Sequence, residues 1–245
     1  MERAPTADQL LHVWEQGRSQ TPVQRARSLL ALAAPGASAE DLARYGIGRR
    51  DQELLRLYER IFGPLLTGVA QCPACGQEVE LDFLAADLWP QRDPDSDQLH
   101  VLQLAGYDMS FRLPTCDDLA ALDPRDDAPA QRASLLRRCI AEVRLNGEAA
   151  AADTLPEALT TALSGRMAEL DPQGDIQLAL SCPRCAHLWQ APLDIASYLW
   201  SEIHAWAGRM LRDVHALAAA YGWREADILA MSPWRRQAYL EMIRQ

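Results

Sequence analysis

CPACGQEVEL, residues 72–81, sets two cysteines three apart on a Pro-Ala turn and runs directly into a segment where Val79 and Leu81 alternate with Glu78 and Glu80. By itself such a turn fits half of a metal site, a redox pair or an ordinary reversal of the chain. LALSCPRCAHLWQAPL, residues 178–193, repeats the arrangement more than a hundred residues later. Period-two alternation marks half-buried strands. Val79, Leu81 and Phe83 therefore predict a strand after the first pair; Ile176, Leu178 and Leu180 predict one before the second, with His187 to Leu193 as its return. Both pairs then sit at hairpin tips.

Four thiolates complete a tetrahedron about 2.3 Å from one zinc ion, and two C-x-x-C turns supply them. The expectation is one structural Zn2+ held by Cys72, Cys75, Cys182 and Cys185 in a zinc-ribbon-like β element. A closed set of this kind leaves no coordination position for a catalytic water, so the metal is architectural. A thiol–disulfide oxidoreductase would instead place its pair at a helix N-terminus, which lowers the attacking thiol's pKa; strands follow the cysteines here. His187, two after Cys185, is read as a surface or neighbouring residue, and Cys116 and Cys139 as buried or half-buried thiols without partner spacing.

Composition bounds the rest. A chain of 245 residues, 49% hydrophobic, has ample material for a packed core. Its formal net charge of -10 disfavours a sequence-independent grip on a phosphate backbone. No apolar run approaches the roughly 20 residues that cross a bilayer, and MERAPTADQL lacks the apolar stretch of a secretory signal. With four of six cysteines in C-x-x-C pairs, metal ligation in a reducing compartment fits better than a disulfide framework, and a cytoplasmic protein is expected.

The flanks read as helices. Thr6 with Gln9, and Thr21 with Gln24, have capping-box spacing, and Pro22 stands at a first helical position. The second of these helices is expected over about 22–34, ahead of Pro35-Gly36; Ser38 opens a brief one ending near Gly46; and Leu54, Leu57, Tyr58 and Ile61 then recur at helical spacing as core. Towards the C-terminus Leu199, Ile203, Trp206, Met210, Val214, Leu217 and Tyr221 step by three or four along one stripe, with Gly222 as the stop. A short helix around READILAM follows, and Ser232-Pro233 cap the last one. Trp200, Trp206, Trp223 and Trp234 are read as core.

Between the cysteine pairs, WPQRDPDSDQ (89–98) is expected as an exposed polar loop, and HVLQLAGYDMSFRLPT as a hairpin turning at Ala105-Gly106. A short helix begins near Thr115, and residues 130–145 predict an amphipathic helix with Ala133, Leu136, Cys139 or Ile140, and Val143 on one face and Asn146-Gly147 as its end. Pro156 opens another, carrying Leu159, Leu163, Met167 and Leu170. The fold class expected is α+β and mainly α-helical: a helical region (1–65), the first half of the ribbon (66–86), a mixed insertion (87–175), the second half of the ribbon (176–196) and a C-terminal helical region (197–245).

No Walker loop, dinucleotide fingerprint, nucleophile elbow or H-E-x-x-H motif occurs, and no enzyme is expected. His204 and His215 are eleven apart without a carboxylate or serine arrangement, and Asp93, Asp95 and Asp97 lack a calcium-loop pattern. Arg235 and Arg236 on a short two-helix segment raise a DNA-reading possibility that the acidic balance opposes.

The order RRDQELLRLYERIFGP, CPACG, SFRLPTCDDL, LLRRC, CPRCAHLWQAPLDIASYLW and LRDVHALAAAYGWREADILAMSPWRRQAYLEMI resembles a family found in gene clusters of contractile injection systems and tailed phages. That family is grouped with the baseplate hub assembly chaperones of T-even phages. The resemblance implies a non-catalytic factor that holds a hub or spike component before docking, and it carries over no catalytic residue. From the residues alone, a zinc-ribbon adaptor linked to nucleic acid or transcription is the other reading.

Overall fold

The computed structural model describes residues 3–89, 98–152 and 155–243. It is α+β and mainly helical, as the sequence predicts.

Four helices come first: α1 (Ala7–Gly17), α2 (Pro22–Ala33), α3 (Ala39–Arg44) and α4 (Ile47–Phe62). The first three open on reciprocal capping boxes: Thr6 with Gln9, Thr21 with Gln24, and Ser38 with Asp41. Each satisfies amide groups that a helix start leaves free, an effect of about 1 kcal/mol. Leu10 of α1, Leu29 and Leu30 of α2, and Leu54, Leu57 and Tyr58 of α4 are buried together with Ile195, Leu199 and Ile203 of α8 (Ile195–Tyr221). This is the main core, and α4 and α8 form its centre.

At 27 residues, α8 spans about 40 Å and acts as a spine. Its middle buries Ala207 and Met210 against Leu11, and its last turns bury Val214 and Leu217 against Ile228 of α9 (Glu225–Leu229) and Leu240 of α10 (Pro233–Ile243). The expected stripe holds except at two aromatics: Trp206 is half-buried and Tyr221 is exposed beside the left-handed Gly222 that ends the helix.

Two hairpin arms leave this core. Strands β1 (Leu65–Gln71) and β2 (Glu78–Leu84) follow α4, while β7 (Gln177–Ser181) and β8 (Leu188–Pro192) precede α8. Burial alternates along both, with Leu66, Val79, Leu81 and Phe83 on the covered face of one arm and Leu178, Leu180 and Trp189 on that of the other.

The insertion builds a second core on an antiparallel sheet of β3 (His100–Leu104), β4 (Tyr107–Phe111), β5 (Ile140–Leu145) and β6 (Glu148–Ala149). The helices α6 (Ala128–Cys139) and α7 (Glu157–Leu170) complete it, with Met109, Phe111, Leu136, Val143, Leu163 and Met167 among its buried residues, while the short α5 (Cys116–Ala120) buries Cys116 in the main core. The helix expected over 130–145 is corrected here. It stops at Cys139, and Ile140–Leu145 pairs with β4. Asn146 (φ 50°) and Gly147 (φ 90°) form a two-residue hairpin turn, the reversal that Asn-Gly favours because both positions need positive φ. The hairpin at Ala105-Gly106 is as predicted. All of the polar loop expected at 89–98 except its two ends, including Asp93, Asp95 and Asp97, lies outside the described residues.

The insertion meets the core at the start of α4. Ile47 N–H donates to Pro114 O (3.2 Å), Cys116 N–H to Tyr45 O (2.9 Å), and Gly48 N–H to the Asp171 carboxylate (2.8 Å). Since Gly46 offers no capping side chain, Asp171 caps α4 from 123 residues away.

Candidate metal centre

The two cysteine turns have the same backbone design. Cys72 N–H donates to Gln77 O and Gly76 N–H to Cys72 O, at 2.9 and 2.8 Å; Cys182 N–H donates to His187 O and Ala186 N–H to Cys182 O, both at 2.9 Å. Each turn needs a left-handed residue after its second cysteine: Gly76 (φ 68°) in one, Ala186 (φ 56°) in the other. Closing the turn this way brings both of its sulfurs to one side.

The tips converge. The sulfurs of Cys72, Cys75, Cys182 and Cys185 all lie within 4.8 Å of one another. Cys72 Sγ is 3.7 Å from Cys185 Sγ, and Cys75 Sγ is 3.6 Å from Cys182 Sγ, both contacts running between the arms. Sulfurs each about 2.3 Å from a central ion form a tetrahedron with edges of about 3.8 Å. The donor set therefore fits a metal ion, and an all-thiolate tetrahedron suits a soft, closed site. Cys72 and Cys182 are buried, Cys75 is half-buried and Cys185 is exposed.

Electrostatics point the same way. Burial disfavours the Cys182 thiolate, but the backbone N–H groups of Cys185 and Arg184, with the neighbouring sulfurs, outweigh it and bring the thiol down to about 7. For Cys185 the His187 backbone N–H favours the thiolate, yet contact with the Cys75 sulfur, burial, and the Cys182 and Cys72 sulfurs push it up to about 12. One ionised sulfur makes the next harder to ionise, and a cation at the centre relieves that repulsion.

The arms are also fixed at their bases, about 23 Å along β1 from the tip. Tyr58 OH donates to Leu65 O (2.8 Å). Tyr198 of α8 donates its hydroxyl to Thr67 O (2.8 Å) and accepts from Thr67 N–H (3.0 Å). One tyrosine thus occupies both backbone groups of an edge residue in β1, and the helix that continues from the second arm grips the first. Nothing in the spacing of Tyr198 and Thr67 announces this contact.

Other candidates fall elsewhere. His187 is exposed and stacks on Trp189, with ring centroids 6.2 Å apart. Cys116 and Cys139 are buried, which pushes their thiols up to about 11 and about 12. His204 accepts from Trp14 Nε1–H at 3.0 Å. Arg236 is buried with Nε 3.5 Å from the Asp213 carboxylate, so it does not present itself to a partner from α10. Trp200, Trp206 and Trp223 are half-buried, but Trp234 is 86% exposed, against the expectation of core. It lies on the solvent side of α10, opposite Arg236 and Leu240. Among the described residues no helix is long and apolar enough to cross a membrane.

No curated protein and no solved structure matches the chain. A family described as T4 bacteriophage base plate protein matches residues 36–197, which contain α4, both arms with all four cysteines, the whole insertion and the start of α8. The chain belongs to this baseplate protein family.

Proposed function

We propose that the protein is a non-catalytic assembly factor, a chaperone or adaptor, for the baseplate hub or spike of a contractile phage-tail-like injection system, with one structural zinc ion on Cys72, Cys75, Cys182 and Cys185. Membership of the baseplate family is the observation that carries the reading. Two structural features support it. A four-thiolate site at the tips of two arms, remote from the helical core, suits architecture better than chemistry. The exposed Trp234 and Met242, four helical positions either side of Ala238 on α10, offer apolar surface of the kind found at binding hot spots.

Co-expression with the hub and spike proteins of the same gene cluster tests it. The expected result is stable co-purification with one of them and absence of the protein from sheathed, mature particles. A protein that co-purifies with none of them, or that binds DNA at physiological salt, is not this factor. Presence in the mature particle would make it a permanent baseplate part.

A further inference from the structure

Two sulfur contacts between the arms are short, Cys72 to Cys185 at 3.7 Å and Cys75 to Cys182 at 3.6 Å. The exposed Cys185 is also the sulfur a dissolved oxidant reaches first, and its contact, Cys72, is buried. We propose that peroxide converts the metal clasp into a covalent clasp of the same connectivity, with Cys72–Cys185 forming first and Cys75–Cys182 second. The inference rests on the metal reading above.

The chemistry balances. As a metal ligand Cys185 would be deprotonated, and its thiolate attacks hydrogen peroxide, the O–O bond breaks, the departing hydroxide is protonated to water, and Cys185 becomes a sulfenic acid. The Cys72 thiolate then attacks that sulfur, the S–O bond breaks, and the leaving oxygen departs with a proton as a second water. Two electrons have passed from two sulfurs to one peroxide. The two thiolates that remain would not make a closed site and would release a zinc ion held there, and a second peroxide joins Cys75 to Cys182 by the same steps.

Disulfides inside each turn, Cys72–Cys75 and Cys182–Cys185, are the competing outcome. They would leave the arms unjoined at their tips. A bond between arms holds the tips together and closes a loop of more than a hundred residues, the case in which a crosslink restricts the unfolded chain most. While the core holds the bases of the arms together, both pairs between the arms stay in contact, Cys72 with Cys185 at 3.7 Å and Cys75 with Cys182 at 3.6 Å.

The test takes the full-length, zinc-loaded protein through a titration with hydrogen peroxide. Zinc release is followed with a chromophoric chelator, and disulfides are mapped on unreduced peptides. The expected result is loss of bound zinc together with a crosslinked peptide pair containing Cys72 and Cys185, while Cys116 and Cys139 stay free and react with alkylating agent only after denaturation. Zinc release with disulfides confined within the turns, or with sulfinic acids and no disulfide, overturns the proposal and leaves the metal reading intact. Untreated protein that carries no zinc overturns the metal reading, and the exchange with it.

Discussion

The Asp171 carboxylate accepts the Gly48 N–H at 2.8 Å, joining the segment that leads into the second arm to the first turn of α4. It also accepts from Gly174 N–H at 3.2 Å, so one buried side chain organises both. A Cβ on Gly48 would stand 1.8 Å from Asp171 Oδ1, which explains the glycine in a helix. Asp171→Ala leaves buried amide hydrogens without acceptors and is expected to cost about 1–3 kcal/mol in urea unfolding. Gly48→Ala should cost at least as much by expelling the carboxylate, and Asp171→Asn less, since it keeps an acceptor oxygen. A loss below about 0.5 kcal/mol for both Asp171→Ala and Gly48→Ala would show that α4 does not depend on this cap.

Metal removal should release the arms without dissolving the helices. The main core is built from α1, α2, α4 and α8 with few arm residues, Leu66 and Phe83 among them, and the insertion has a core of its own. Hydrogen exchange after chelation is therefore expected to speed up in residues 65–84 and 177–192, most strongly towards the tips, while buried stretches of α2 and α4 stay protected. Cys182→Ser should behave as the chelated protein does. Simultaneous loss of protection in α4 would mean that the metal supports the core as well.

The two cysteine turns predict opposite effects of one methyl group. Gly76 and Ala186 occupy equivalent positions at φ 68° and 56°, a region costing an L-residue roughly 1 kcal/mol relative to glycine. Ala186→Gly should thus raise the thermal midpoint of the metal-bound protein and Gly76→Ala lower it, each by about 0.5–1 kcal/mol in free energy. Nothing lies within 4 Å of a Cβ built on Gly76, so the effect there is conformational and not steric. Equal midpoints for the wild type and both variants would remove the strain argument.

What could be read from the sequence follows the range of the physics. Capping boxes at Thr6 and Thr21, and the cysteine turns, are local patterns whose chemistry acts within a few residues, and they are found where expected. The convergence of the two turns was legible because two C-x-x-C turns of the same design imply one shared four-sulfur site, whatever lies between. For Ile140–Leu145 a single window fits both periods, and β4, which decides between them, lies about thirty residues earlier; Asn146-Gly147 is the local signal for a hairpin. Asp171 at Gly48 and Tyr198 at Thr67 were not legible at all, since a buried polar contact across more than a hundred residues leaves no periodic trace. Trp234 was assigned to core by residue type, and a helix that buries Arg236 and Leu240 turns it outward.

Two buried carboxylates should give the stability curve opposite slopes. Burial disfavours ionised Asp118, but bonds from Arg112 and Thr115 and the charge of Arg112 outweigh it, holding the group down at about 2. Its contribution is complete above the ordinary carboxylate value of 3.8 and is lost as pH falls from about 4 to about 2. For Asp51 burial prevails over the attraction of its partner Arg50, with Asp194 and Asp171 adding repulsion, and the group rises to about 6. Its proton is bound more tightly in the folded chain, so this contribution is complete below about 4 and is lost as pH rises through about 6. Unfolding free energies of wild type, Asp118→Asn and Asp51→Asn over this range separate the two, because any acid sensitivity of the cysteine site is common to all three. Relative to wild type, Asp118→Asn should show a deficit that shrinks below about pH 4, and Asp51→Asn a difference that changes mainly between about pH 4 and pH 6. Parallel curves for Asp51→Asn and wild type through that window would mean that the Arg50 pair, and not burial, sets its ionisation.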